Sequence, residues 1–331
     1  MFLEGAVRDN RIKADDFGAG IARFTKKRKE RFWELDFLRG LCVVLMVFDH
    51  FMFNMMDVLP VVNEFFGTTL GRELSKYALV YWKGDFRNTV RFFVICTFFV
   101  LCGISCTLSK SNFKRGFLLA LCALGITGVT GVIESYYEGF IVRFGVLHML
   151  APAWCGVFPM LAAAVLMYAV VDLLARLALL PVKGAKAKKI AETALGYLPA
   201  LTGFVLLCVY LTCYGTFSCK EGYPFFYSTV MPSSDKNQSA VWAIFVYVKH
   251  YQFDSADYFP ILPWATMVLL GSAIGRAVYH TPAKYAFRPL DGSWNNGVCF
   301  LGRHTAIIYL SHMVVIPVIT ILAVALYSLF V

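Results

Sequence analysis

Charge is scarce in this chain. Asp, Glu, Lys and Arg make up 16% of its 331 residues, where a soluble globular domain carries about 25%. Hydrophobic residues are 59% and aromatics 16%, and the mean hydropathy is +0.64. A chain this apolar cannot cover itself with polar surface and needs lipid as its solvent. That excludes a secreted module, a nucleic-acid-binding domain and a disordered tail. No C-x-x-C pair is present, which argues against a zinc or thioredoxin-like centre, and no metal site is expected. No internal repeat is visible and no linker marks a second soluble domain. No signal peptide is expected either, because the first apolar run begins near Phe37 after a mostly polar stretch.

What is present is a series of apolar segments, each near the ~20 residues that cross a bilayer. They lie at about 37–57, 88–109, 115–133, 195–215, 259–279 and 304–331, with an ambiguous stretch at 141–180 interrupted by Pro152 and Pro159. The fold class is therefore all-α, a polytopic transmembrane bundle of about seven or eight spans. Residues 1–36 form a basic cytoplasmic segment, with the run Lys26-Lys27-Arg28-Lys29 suited to anionic lipid. Residues 37–331 form the membrane domain. Cytoplasmic loops collect Lys and Arg, and this orients the bundle. The N-terminal segment, 110–115, 176–192 and 280–303 are net basic and belong inside. The 134–143 and 216–258 loops are net acidic and belong outside. The alternation closes if 141–180 crosses an odd number of times. Seven crossings with a re-entrant 141–158 are expected, and eight stay open. Cys213 and Cys219 flank the 216–258 extracytoplasmic loop and can pair if it lies outside. The other cysteines inside apolar runs, among them Cys42, Cys102 and Cys106, read as small buried hydrophobes.

Ionisable residues inside the spans are costly, so each is a functional candidate. Arg39 and His50 are eleven residues apart, which on a helix is about 20° past three turns and about 16 Å along the axis. They share a face, with Arg39 at the cytoplasmic mouth and His50 deeper. A guanidinium at the mouth can hold phosphate and an imidazole deeper in can move a proton. Asp36, three residues before Arg39, can pair with it. The alternative is a snorkelling Arg39 and a structural His50. Asp49 beside His50 is harder to explain away, because lipid offers it no partner. Adjacent helical residues do not face each other, so the partner of His50 is expected on another span, with His148 and His312 as candidates. Arg303 and His304 fall at the same mouth as Arg39, and His312 lies about 12 Å deeper in the last span. Asp257 and His148 face the outer side. Pro260, Pro263 and Trp264 suit an interfacial turn. Gly271 and Gly275 permit close helix packing, and with it association between copies.

Several of these stretches together resemble a known family. Arg39 and His50 match the R-x10-H signature of the membrane acyltransferase-3 superfamily. The phrase Glu34-Leu-Asp-Phe-Leu-Arg-Gly through Asp49-His50 is closer to one branch, the bacterial membrane proteins grouped with the catalytic domain of heparan-α-glucosaminide N-acetyltransferase. Phe144-Gly-Val-Leu-His148, Asp257-Tyr-Phe-Pro-Ile-Leu-Pro-Trp264 with Gly271 and Gly275, and Leu301-Gly-Arg-His-Thr-Ala-Ile-Ile-Tyr-Leu-Ser-His312 follow in the family's order. Phe99-x-x-x-Gly103-Ile104-Ser105 also fits.

The resemblance implies a membrane acyltransferase moving an acetyl group from cytosolic acetyl-CoA to an extracytoplasmic glycan or amino-sugar acceptor. It implies a bacterial cytoplasmic membrane with the N-terminus inside. His50, His148, His312 and Asp257 are then the catalytic candidates, and Arg39, Arg303, His304 and Asp36 the residues that hold acyl-CoA. The chain departs from the lysosomal member, which uses a luminal histidine after its first span. There is no histidine here between Phe51 and Leu147, and that loop instead carries Tyr81-Trp82-Lys83-Gly84-Asp85. Two other classes stay in view. Intramembrane His and Arg also mark proton-coupled transporters, though these often show repeats. Histidines in spans can also ligate haem.

Overall fold

The computed structural model describes residues 31–136, 157–213, 215–217, 226–228, 245–246 and 259–330. The described side chains are those of these segments other than 126–136, 157–159, 215–217 and 226–228. His148, Asp257, Cys219 and residues 141–156 lie outside them.

Glu34–Val331 form one compact unit. The first span, α1, runs Trp33–Phe53, passes through a π-helical turn at Asn54–Val58 and continues as α2, Leu59–Phe66. It begins earlier than hydropathy suggested. Glu34 and Asp36 sit in its first turn, where carboxylates suit the positive end of the helix dipole. Gly67 and Gly71, both with left-handed backbone (φ 67 and 65), turn the chain into the short α3, Arg72–Trp82. α4 follows at Asp85–Thr107, α5 at Asn112–Tyr136 and α6 at Val157–Ala178. α8 is Leu198–Cys213, α9 is Ile261–Ile274 and the last span, after the short α10 (Asn296–Arg303), is α11, Thr305–Tyr327. Among the described residues six helical stretches are long and apolar enough to cross a membrane, and α5, at 25 residues, runs through the remaining expected segment. Each expected span is thus met by a helix, and within 141–180 the described part is the single helix α6. The one regular non-helical feature among the described residues is a two-stranded antiparallel ribbon, Gly215–Phe217 with Phe226–Ser228.

Two stretches expected as loops are helical. Within 176–192, α7 spans Ala185–Leu195, because Ala and Lys are strong helix formers. Within 280–303, three 3-10 turns lead into α10.

Helix α9 is the hub. It packs on α4, α8 and α6, and glycine is what lets the backbones meet. A Cβ on Gly103 of α4 would run into the Val268 carbonyl. One on Gly271 would meet Val100, one on Gly275 would meet Thr107, and one on Gly203 of α8 would meet Leu269. The Gly271–Gly275 face is therefore filled inside the chain, and the close packing these glycines permit is used against α4. The same hub corrects the reading of Trp264 as an interfacial residue. Its ring is 4% exposed and packs against Phe99 at 5.5 Å and Phe259 at 5.2 Å. The outward faces stay apolar and open, as at Phe93, Phe204, Val314 and Ile319, as lipid-facing positions must.

The first and last spans run parallel. His50 meets His312, and four residues on, Asn54 meets Thr320. Further along, Val324 packs with Met52, Met55 and Leu59. At the other end α1 crosses α10 backbone to backbone, where Gly40 abuts Val298 and Gly302 abuts the Asp36 carbonyl.

Overpacking a close crossing costs about 1–3 kcal/mol, and more where backbone blocks relaxation. Gly103→Ala and Gly302→Ala are expected to lower the thermal midpoint in detergent clearly. Gly297→Ala, where a Cβ has nothing within 4 Å, is expected to leave it unchanged or raise it. Melting curves of the three variants check this.

Candidate functional site

Three polar layers cross the bundle. The first is at the Arg39 end. Arg39 donates from one nitrogen to Asp36 Oδ1 at 3.1 Å and from another to Ser105 Oγ at 2.5 Å. The Asp36 partner expected from the i,i+3 spacing is therefore in place. Ser105 Oγ in turn donates to the Leu101 carbonyl at 2.6 Å. Arg115 Nη1 donates to the Ser105 carbonyl at 3.0 Å, and Asn112 Nδ2 to the Cys106 carbonyl at 2.9 Å. Glu34 accepts a hydrogen bond from Tyr279. Close by, Asp172 of α6 takes Arg176 at 2.8 Å and Arg276 at 3.4 Å. Arg303 and His304 are exposed. Arg303 Nε donates to the Cys299 carbonyl at 3.1 Å, and His304 Nδ1 meets the Phe300 carbonyl at 2.8 Å. Because Gly40 and Gly302 lie at the same backbone crossing, Arg39 and Arg303 flank one mouth. This end carries guanidinium groups on α1, α5, the turn after α9, and α10.

The second layer is the histidine pair. The His50 and His312 rings meet edge to face with centroids 4.8 Å apart. His50 Nδ1 lies 2.9 Å from the Met46 carbonyl and His312 Nδ1 lies 3.1 Å from the Ile308 carbonyl. A carbonyl can only accept, so each of these hydrogen bonds is donated by Nδ1, and the Nε2 of such a ring, when neutral, is the acceptor. His312 is 5% exposed, and its Nε2 has no hydrogen-bond partner among the described residues. Tyr309 covers its far side at 5.7 Å. Of the two histidines offered as partners for His50, His312 occupies that place, and His148 lies outside the described residues, as does Asp257. The buried Asn54–Thr320 hydrogen bond of 2.6 Å lies further along the same seam, about one turn beyond His50 on α1 and about two beyond His312 on α11. The π-helical turn begins at Asn54 and Pro317 interrupts the ladder of α11. Both features loosen regular backbone pairing, and π-bulges recur at functional sites.

The third layer gives Asp49 its partner, which is neither His50 nor lipid. Arg87, at the start of α4, holds the carboxylate with two parallel bonds, Nε to Oδ1 and Nη2 to Oδ2, both 2.7 Å. Tyr81 Oη donates to Oδ1 at 3.1 Å. The guanidinium stacks 3.6 Å from the Trp82 ring, which is itself backed by Phe53. Burial, with the Asp49 charge beside it, pushes the Tyr81 hydroxyl up to about 12, so it remains a donor at neutral pH. Within the stretch Tyr81–Asp85, Tyr81 thus reaches Asp49 and Trp82 stacks on its partner Arg87.

Sequence reasoning singled out Ser105 only as a motif residue with no role, and missed Arg87, Arg115 and the Asn54–Thr320 pair. The signal for Arg87 was the unbalanced Asp49, which in lipid demands a cation. That for Asn54 and Thr320 was their spacing of four and eight residues from the two histidines. Among the described residues no group of His, Cys, Asp and Glu could hold a metal.

Leaving a buried polar group unpaired costs about 1–3 kcal/mol, whereas replacing both partners by apolar groups is nearly neutral. Thr320→Val is therefore expected to lower the thermal midpoint, and adding Asn54→Leu to restore most of the loss. A double variant no more stable than Thr320→Val would contradict the pairing.

Comparison with known proteins adds a family. The family model for the catalytic domain of heparan-alpha-glucosaminide N-acetyltransferase matches residues 31–314. That range takes in Arg39, Asp49, His50, Arg87, Ser105 and His312. No curated protein and no solved structure gives a significant match. The helical bundle, its intramembrane histidines and a match over most of the chain agree, and the protein belongs to the heparan-alpha-glucosaminide N-acetyltransferase catalytic-domain family.

Proposed function

We propose that this membrane acetyltransferase takes its acetyl group from cytosolic acetyl-CoA and delivers it to a hydroxyl or amine of a sugar or glycan on the opposite side of the membrane. The observation that carries this reading is the contact of His50 with His312 of α11, with His50 on the same helix as Arg39 and about 16 Å from it along the axis. An extended pantetheine arm covers such a distance. The Arg39 mouth suits the charged end of the donor. Arg39 is held by Asp36 and Ser105, which fixes its fork for phosphate oxygens. Arg303 and His304, exposed on the neighbouring α10, add further donors. Asp36 is thereby an orienting group for Arg39.

Transfer then needs one proton to move. The acceptor oxygen or nitrogen attacks the thioester carbonyl while His50 Nε2 takes its proton. The tetrahedral adduct collapses, the carbon–sulfur bond breaks, and the leaving thiolate receives a proton from the histidine pair. The products are CoA thiol and the acetylated acceptor, and both imidazoles return to neutrality. Two adjacent imidazoles allow one to face the acceptor and the other the sulfur. His148 and Asp257 are proposed on the acceptor side. Water must be kept from the thioester during this step, and the aromatic cluster around Trp264, Phe99 and Phe259 supplies a dry wall nearby. The excess of Lys and Arg in alternate loops supports an N-terminus in the cytoplasm, and a bacterial cytoplasmic membrane is the proposed location.

The test is calorimetric binding of acetyl-CoA to the purified protein, paired with CoA release in the presence of amino-sugar glycosides. Arg39→Ala is expected to weaken acetyl-CoA binding about tenfold or more, since a charge-assisted contact is worth about 1.5–3 kcal/mol. His50→Ala and His312→Ala are expected to bind it as the wild type does and to lose about 10²–10⁴-fold in turnover. Folded wild-type protein that binds no acetyl-CoA contradicts the reading and moves the weight to transport.

A further inference from the structure

We propose that the Asp49–Arg87 ion pair is the positioning device of the histidine pair, with Arg87 as a positioning residue that acts through α1. This rests on His50 and His312 being the reacting groups. Asp49 and His50 are neighbours on one turn and point about 100° apart. Asp49 therefore faces α4 while His50 faces α11. Whatever fixes the rotation of α1 at Asp49 also fixes where the His50 ring meets His312.

The lock has the geometry for that task. The two bonds of 2.7 Å are parallel and bidentate, so they resist rotation as one contact would not. Arg87 is itself held on a third side, by Asn88 Oδ1 at 3.2 Å, and its plane is set by Trp82. Tyr81 closes the carboxylate and packs edge-on against Phe48 at 5.5 Å. Two residues of the α3–α4 corner, Tyr81 and Arg87, thus converge on one carboxylate of α1. The need for such a lock is local. The π-helical turn that begins at Asn54, four residues beyond His50, relaxes the regular ladder of α1. A helix rotation of about 20° moves a side-chain group at the ~5–6 Å radius by roughly 2 Å, and misplacing a reacting group by about 1 Å can cost 10²-fold in rate.

Stability alone does not account for the pair. Replacing a buried ion pair by apolar side chains of similar volume is often neutral or stabilising. A purely structural role would be filled as well by Leu and Met, which gives the test. The double variant D49L/R87M removes both charges and leaves no orphan. It is expected to fold with a thermal midpoint near wild type and to bind acetyl-CoA within about twofold, while turnover falls about 100-fold. Arg87→Lys keeps the charge but loses the bidentate fork, and is expected to fold normally with a smaller loss of turnover. Should the double variant not fold, this second variant decides.

A readout independent of activity runs alongside. In histidine-labelled protein the His50 and His312 ring signals, assigned with His50→Gln and His312→Gln, carry the ring-current shift of their edge-to-face contact. That shift is expected to shrink in D49L/R87M, and the signals of His280 and His304 to stay in place. Turnover within about threefold of wild type, or unmoved His50 and His312 signals, overturns the proposal. If the wild type itself transfers no acetyl group, the acetyltransfer reading fails, and the ring signals still decide whether the ion pair sets the histidine geometry.

Discussion

A bilayer core offers no water to a polar side chain, so every ionisable group within the spans must find its partner in the protein. That constraint organises this protein more than any single hydrophobic contact does. Asp49 is satisfied by Arg87 and Tyr81, Arg39 by Asp36 and Ser105, and Asn54 by Thr320. The pairings of Asp49 with Arg87, Arg39 with Ser105 and Asn54 with Thr320 tie helices together at a defined height and rotation. The histidines are the exception that carries function. Each ring satisfies one nitrogen on its own helix, and the Nε2 of His312 has no hydrogen-bond partner among the described residues. A buried lone pair is costly for stability and useful for chemistry.

Close helix crossings make these pairings possible. Glycines at Gly103, Gly271 and Gly275 let α4 and α9 touch through backbone, and Gly40 and Gly302 do the same for α1 and α10. The first of these crossings lies beside Ser105, which is two residues beyond Gly103 on α4 and holds Arg39. The second brings the mouth residues of the first and last spans together, with the parallel α1–α11 seam aligning His50 with His312. Motif residues that look unrelated along the chain thus have one physical purpose: small residues bring the backbones close, and polar residues a turn or two away then meet.

Much of this was legible in the sequence. The spans followed from hydropathy, the shared face of Arg39 and His50 from helical arithmetic, and the Asp36–Arg39 pair from its spacing. That the partner of His50 lies on another span followed from the rule that adjacent residues diverge, and His312 was one of the two histidines this offered. Other features were not legible. The partner of Asp49 required knowing which end of α4 lies beside α1, and hydropathy places Arg87 just outside a span rather than against it. Trp264 read as interfacial because Trp beside Pro often is, whereas its burial depends on how α9 packs on α4. The glycines of α9 allow intramolecular and intermolecular packing equally well, and only the fold shows that the intramolecular contact uses them.

The central claim is that donor and histidine pair form one continuous site along α1. The most direct measurement is an electron cryomicroscopy structure of the protein with acetyl-CoA bound. The account predicts phosphates at Arg39 and Arg303, and the thioester within reach of the His50 and His312 Nε2 atoms. Acetyl-CoA seated on another face of the bundle, with the histidine pair out of its reach, would contradict it.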